Sequence, residues 1–403
     1  MTVPSGMIRP GSRRFVAVLS MCMAVTALGV DTVLPAYDSI RSSLGLAEGA
    51  SEITGLITFY LMGNALGLLP AGLLADRFGR RPVMWGGLGL YVAGAIGSVL
   101  APTLGTMLIA RFVWGLGGAG PRVATLAMVR DEFSGERMAR QMSLIMAVFL
   151  IVPAVGPSLS AGLLLVGPWQ IVFWMCAAAG LAVAVAVGQL PETLEVRQPL
   201  AVASAGRSIR MVLTTAGTPA SLVSLTALYG VFMAYLSGFE LIVDQTYGLR
   251  TWFPMVFGVL SLTMLGGMLL NGRLVERLGL ERLLQVIFAS NGAAVVVLAA
   301  VVLVADGRPP FGVLVAMVGV VLFFQQMLIP NLNAAAMRPL GPVAGTGAAL
   351  LGMIPGLLGA VLGEAINRRF DGTVRPLAIG FVVSSIVAWL AWRSAARRSR
   401  SVG

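Results

Sequence analysis

The sequence predicts an all-α membrane protein of twelve transmembrane helices in two pseudo-symmetric six-helix bundles. Three observations predict it. Hydrophobic residues fill 57% of the 403 positions and charged residues 11%, with a mean hydropathy of +0.89, which a water-soluble globule with an ordinary charged surface does not reach. The apolar residues fall into runs of about 20, the length at which a helix crosses the hydrocarbon. One charged island also occurs twice. Gly72-Leu-Leu-Ala-Asp76-Arg77-Phe-Gly79-Arg80-Arg81-Pro82 is echoed by Gly272-Arg-Leu-Val-Glu276-Arg277-Leu-Gly279-Leu-Glu281-Arg282, each between two apolar runs. The repeat divides the chain into an N-terminal bundle (1–190), a cytoplasmic linker (191–218) and a C-terminal bundle (219–403).

Taken in order, a short basic tail with Arg9, Arg13 and Arg14 precedes an apolar run that ends near residue 36. This start resembles a signal peptide, but no small-residue cleavage site closes it, so it reads as a retained first helix. Further runs cover about 51–75, 83–101, 106–130, 140–165 and 169–189. After the polar, arginine-bearing segment Pro191–Arg210, six more cover about 219–243, 252–271, 284–305, 310–333, 345–366 and 375–392. With both ends placed in the cytoplasm, twenty of the 28 arginines lie on that side and six on the other, the bias that holds arginine-rich loops inside.

The island has a physical reading. A loop of about eight residues must reverse the chain between two spanning helices, and Gly79 gives the backbone freedom that such a turn needs. Asp76 can cap a helix end, and Arg77, Arg80 and Arg81 hold the loop on the cytoplasmic side. The net charge of +11 does not indicate nucleic acid, because the arginines are dispersed between apolar runs. Lysine and histidine are both absent, which rules out a GxxxxGK[ST] phosphate loop and any histidine proton relay. A coupling group must then be a carboxylate. Cys22 and Cys176 lie inside apolar runs without metal-ligand spacing, so neither a metal nor a cofactor is expected.

The island resembles the loop between helices 2 and 3 of the major facilitator superfamily, whose second copy stands between helices 8 and 9. On that resemblance Gly72, Asp76, Arg77, Gly79, Arg80 and Arg81, with Glu276 and Arg277 of the second copy, form a cytoplasmic gate. Arg130 and Asp131, at the cytoplasmic end of the fourth run, are expected to join Asp76 in it. The resemblance implies a multi-pass protein of the cell (inner) membrane, embedded in lipid, exchanging a small-molecule substrate and protons and working as a monomer. It implies a transporter rather than an enzyme.

Charges inside the spans carry the functional question, since each costs roughly 2.5–3.5 kcal/mol at bilayer depth. Asp31, in Val30-Asp31-Thr32-Val33-Leu34-Pro35, has two readings: a hydrated acid near the outer helix end, or a protonatable site on a central cavity. Asp31-Thr-Val-Leu-Pro35 resembles the Asp-x-x-Leu-Pro segment of drug:proton antiporters of the bicyclomycin/chloramphenicol-resistance (Bcr/CflA) branch. Some multidrug relatives carry a second acid about two turns earlier, where this chain has Met21-Cys22-Met23-Ala24.

In the fourth run, Arg111-Phe-Val-Trp-Gly115-Leu-Gly-Gly118-Ala-Gly120-Pro-Arg122 sets two arginines eleven positions apart. On a helix that is three turns plus about 20°, so both point to one side, about 16 Å apart in height, towards a cavity or a helix interface. Arg-x-x-x-Gly-x-Gly resembles the superfamily's helix 4 motif for proton coupling, which falls on Arg111. Arg122 lies outside the pattern and fits either a substrate contact or a structural pair. Gly156, Pro157 and Gly162, in Pro153-Ala-Val-Gly156-Pro157-Ser-Leu-Ser160-Ala161-Gly162, resemble the antiporter signature of helix 5 in part, the alternative being generic close packing. In the second half Glu240 is a pseudo-symmetric counterpart of Asp31 or a hydrated helix end, and Glu364 has Arg368 and Arg369 one turn on. Tyr60, Asn64, Gln325, Gln326 and Asn331 are uncharged cavity candidates by polarity.

Three functions fit: a proton-coupled exporter of small, largely hydrophobic drugs or toxic compounds, an importer or facilitator of a metabolite or sugar, and a non-transporting receptor. The helix 5 pattern favours export.

Overall fold

The computed structural model describes residues 7–47, 50–194 and 202–400. The chain divides into two compact units, Met1–Ala201 and Val202–Gly403. In the first, α1 (Arg13–Asp31), α2 (Tyr37–Ser43), α3 (Gly55–Phe78), α4 (Arg80–Val99), α5 (Leu104–Glu132), α6 (Gly135–Leu164) and α7 (Gln170–Val187) follow in order. The second holds α8 (Val202–Thr214), α9 (Thr218–Leu241), α10 (Phe253–Leu278), α11 (Leu280–Val304), α12 (Phe311–Met337), α13 (Ala344–Asn367) and α14 (Arg375–Arg400). Setting aside the short α2 and α8, each unit contributes six long helices, as the repeat requires.

Eleven spans are long and apolar enough to cross a membrane by length and composition. The remaining long helix, α5, has 29 residues but carries Arg111, Arg122, Arg130, Asp131 and Glu132. Its passage must be shielded by protein, and its neighbours supply the shield: α5 packs between α3 and α4.

Two sequence expectations need correction. The island is not an eight-residue loop. Helix α3 runs on to Phe78 and α4 starts at Arg80, leaving Gly79 alone outside the helices, at a φ of 110°. Gly279 does the same between α10 and α11 at 73°. One residue in the left-handed region breaks the helix, a conformation that glycine takes without the Cβ penalty. Asp76 consequently lies within the last turn of α3 and caps nothing. The expected linker 191–218 also contains the regular helix α8, while its residues 195–201 lie outside the described residues.

The helix 4 glycines explain how α5 fits. A Cβ on Gly115 would overlap the backbone carbonyl of Tyr60 on α3, and one on Gly117 would overlap the backbone of Tyr91 on α4. On α4, Gly94 lies where a Cβ would stand 2.5 Å from the backbone of Trp114. Small residues on both faces let three helices approach at backbone distance, which in lipid provides the dispersion contact that drives helix association. Gly115→Ala is therefore expected to lower the melting temperature measured in detergent, at a cost of about 1–3 kcal/mol, because only backbone stands where the methyl would go. Gly162→Ala, with nothing within 4 Å of its Cβ position, is expected to leave the melt unchanged.

Candidate functional site

The site grows from the α3–α5 interface. Leu56, Tyr60 and Asn64 follow one another on α3 at helical spacing and face Arg111 and Arg122 on α5. Arg111 is fully buried. Its Nε donates to the Leu56 carbonyl at 2.8 Å and its Nη1 to the Gly29 carbonyl of α1 at 2.9 Å, so one guanidinium ties three helices together. Aromatic rings enclose it: Trp114 at 4.8 Å, Tyr60 at 4.9 Å and Phe173 of α7 at 5.9 Å from its central carbon to the ring centroid. Ring faces attract a desolvated cation, the only kind this pocket holds. Nη2 is the one buried donor of this side chain without a hydrogen-bond partner.

Asp31, the last residue of α1, is 2% exposed, so the hydrated helix end is not what the chain adopts. Its Oδ1 is buried with no hydrogen-bond partner. Arg111, which holds the carbonyl two residues earlier, is the charge acting on this carboxyl, although the two do not close an ion pair within 4.0 Å among the described residues. Thr32 donates to the Leu28 carbonyl at 2.8 Å and meets Cys176 Sγ at 3.5 Å, which fixes the end of α1 against α7. Both cysteines are buried and free, as their apolar surroundings implied.

Arg122 is half-buried and its Nη1 donates to Asn64 Oδ1 at 3.3 Å, while Asn64 Nδ2 donates to the Gly115 carbonyl at 3.3 Å. Tyr60 donates to the Thr26 carbonyl at 2.7 Å. The two arginines thus share the α3 side of α5, as the helical angle required. Proline 121 does not spoil the register, because α5 passes through it unbroken.

Helix α6 likewise continues through Pro153 and Pro157. Gly156 faces α1, where its Cβ position is 3.6 Å from Thr32 Cγ2, next to Asp31, whereas Gly162 faces open space. Ser160, which the sequence shows only as part of the small-residue stretch of this helix, is buried with an unpartnered Oγ.

In the second unit Glu240 is 1% exposed, so a hydrated helix end is again excluded. Glu364 accepts from Arg368 Nε at 3.1 Å, the pair its spacing suggested. Gln325 donates to the Leu228 carbonyl at 2.6 Å and Asn331 to Asn271 Oδ1 at 2.5 Å. Both are buried inside the unit and tie helices together, whereas Gln326 beside them is partly exposed.

At the other end of the first unit, Arg80 Nη1 donates to Asp76 Oδ1 at 2.5 Å and its Nε to Asp131 Oδ2 at 3.1 Å, so α3, α4 and α5 meet on one guanidinium. Arg130 is exposed, and Arg77 lies over the Phe78 ring at 5.5 Å. Sequence reasoning missed the other half of this network. Glu192, just after α7, accepts from the backbone N–H groups of Arg80 at 2.9 Å and Arg81 at 3.1 Å, and Thr193 donates to Asp131 at 2.9 Å. A carboxylate at a helix start suits both the free N–H groups and the dipole. A signal was present in the acid that follows Pro191 at the close of an apolar run. Glu192→Gln keeps the shape and removes the charge; a fall in melting temperature equivalent to about 1 kcal/mol is expected in detergent, and less at high salt. Among the described residues the second copy of the island shows only one ion pair, Glu281 with Arg338 at 4.0 Å. Glu276 and Arg277 are exposed and enter no ion pair among the described residues, and Gly72, whose nearest Cβ contact is Val123 at 3.9 Å, has room for a side chain.

Six long, mostly apolar helices in each unit, with Asp31, Arg111 and Glu240 buried among them, fit a membrane transport protein. The family model of the Major Facilitator Superfamily matches residues 19–364, and the chain belongs to that superfamily, whose members carry small molecules through membranes and are not enzymes. The chain is similar to the bicyclomycin resistance protein homolog of Haemophilus influenzae, 26% identical over 94% of this chain and 95% of the relative. It is also similar to the multidrug resistance protein MdtL of Escherichia coli O127:H6, 35% identical over a segment that covers 38% of this chain and 39% of the relative. Among solved structures it resembles the peptide transporter POT in complex with sulfate, with a TM-score of 0.75, 12% identity and coverage of 99% and 98% of the two chains, a likeness of fold alone.

Proposed function

We propose that this chain is a proton-coupled exporter of small, largely hydrophobic toxic compounds, of the Bcr/CflA type, working by alternating access between an N-terminal (1–190) and a C-terminal (219–403) bundle. The observation that carries the reading is Asp31: a carboxyl sealed in the first unit with an unpartnered oxygen, beside the fully buried Arg111. Removed from water, a carboxyl favours its neutral form, while a nearby cation favours the anion. Its protonation therefore follows whichever neighbour the conformation supplies.

Asp31 takes a proton when its pocket opens to one side and releases it when cargo and Arg111 compete for it, which makes proton and cargo binding mutually exclusive. Both groups are cut off from water here, so exchange needs a second conformation that wets them. Within the first unit Tyr60, Asn64 and Arg122 are the residues assigned to cargo; within the second, Glu240 and Gln326 are, with Gln325 and Asn331 joining only if their helix-tying bonds exchange. Asp76, Arg80 and Asp131 latch the cytoplasmic end, with Glu192 holding the start of α4. On this reading the protein sits in the inner membrane with both termini cytoplasmic, and works as a monomer.

The names of the Haemophilus and Escherichia relatives support the cargo class. An export-deficient bacterial host carrying the gene is expected to tolerate more bicyclomycin, a phenicol or a cationic dye. Increased sensitivity, or altered growth on a sugar alone, contradicts export.

A further inference from the structure

The C-terminal unit contains a cavity of about 1070 Å³, at the upper end of the roughly 300–1,000 Å³ usual for small-molecule pockets. It lies at the end of the unit that carries the Gly272–Arg282 segment, bounded by the start of α9, the first half of α11, the end of α12 and the later part of α14. None of the residues assigned to the proposed transport takes part in it.

Its walls are apolar. Leu284 and Phe288 of α11 line it, and Phe288 stacks on Trp392 at 4.9 Å. Its mouth is apolar and open: Val296 is 65%, Ile386 53% and Trp389 37% exposed. In a spanning bundle such residues face acyl chains. The floor differs. Asn291 is 2% exposed and donates through Nδ2 to Ser385 Oγ at 3.0 Å, yet its Oδ1 has no hydrogen-bond partner. Thr218, fully buried at the start of α9, has an unpartnered Oγ1. Both residues line the cavity, but these two atoms are themselves sealed from it, so they belong to the packed floor and not to a ligand contact. The rim adds charge: Arg393, 4.7 Å above the Trp389 ring, and Arg338, 4.0 Å from Glu281. Two arginines against one acid leave a net positive rim.

From the open apolar mouth and the net positive rim we infer that the cavity holds an anionic phospholipid drawn from the leaflet at that end. The phosphate sits between Arg338 and Arg393, where arginine offers fork-shaped donors. The acyl chains leave through the mouth past Ile386 and Val296 and lie along the seam of α11 and α14.

The test is native mass spectrometry of the full chain in detergent, titrated with phosphatidylglycerol, phosphatidylethanolamine or glycerol 3-phosphate. Phosphatidylglycerol is expected to bind at least tenfold more tightly than phosphatidylethanolamine, and glycerol 3-phosphate more weakly still. Two variants are expected to weaken phosphatidylglycerol binding at least tenfold. One is the Arg338→Gln/Arg393→Gln double variant. The other is Ile386→Trp, which narrows the mouth at an exposed position without touching a charge. A lipid-free melt equal to wild type shows that each is folded. Equal binding of the two lipids, or unchanged binding by both folded variants, overturns the inference. Glycerol 3-phosphate binding as tightly as the lipid overturns it in favour of a soluble-anion site.

Discussion

Asp31→Asn is expected to abolish concentrative export while the protein accumulates and melts as wild type does. The amide has the shape of the acid, and in a pocket where Oδ1 already lacks a partner its neutral state costs less than the carboxylate's. Packing around Thr32, Cys176 and Gly156 is untouched. What is lost is the ability to bind and release a hydrogen ion, so cargo can still move down its own gradient but no longer against it. Host tolerance of the exported compound should fall at least tenfold, to the level of a host lacking the gene. The pH dependence of transport should flatten, because no carboxyl group remains on α1. Asp31→Glu, one methylene longer, should keep part of the activity.

Arg111→Ala should have a different consequence. The substitution removes the donors to the Leu56 and Gly29 carbonyls and leaves an empty space among Tyr60, Trp114 and Phe173. Cavity formation and the lost charge-assisted bonds together cost about 3–5 kcal/mol. Little folded protein should survive extraction, and a steep fall in the detergent melt is the measurement. Arg111→Lys separates structure from coupling. It keeps the charge that acts on Asp31 but reaches only one of the two carbonyls, so it should fold with a modest loss and transport at a reduced rate. Should Arg111→Lys transport like wild type while Arg111→Ala also folds normally, the guanidinium is neither the tie nor the counter-charge assigned to it.

The parts of this structure legible in the sequence were those with a period or a charge. Apolar runs of spanning length set out the twelve long helices, and the repeated island set out the two halves. The spacing of Arg111 and Arg122 placed both on one side of α5, which the bonds to Leu56 and Asn64 bear out. Helix ends were less legible. An apolar count stops at the first charge, so α3 reads as ending at about 75 and α10 at about 271, although charged residues carry the two helices on to Phe78 and Leu278. Partners far apart in the chain were not legible at all. Glu192 meets Arg80 across 112 positions and Ser385 meets Asn291 across 94, and neither contact leaves a local pattern. The aromatic cage had the same difficulty: Tyr60 read as a cavity candidate by polarity, and nothing local joined it to Trp114 and Phe173 until three helices bring them round one cation.

The most direct measurement uses purified protein in liposomes loaded with a pH-sensitive dye and given a bicyclomycin gradient. Wild type is expected to move hydrogen ions against the cargo, and Asp31→Asn to let cargo equilibrate with no pH change. Coupled proton movement of equal size in the folded Asp31→Asn variant would contradict the account.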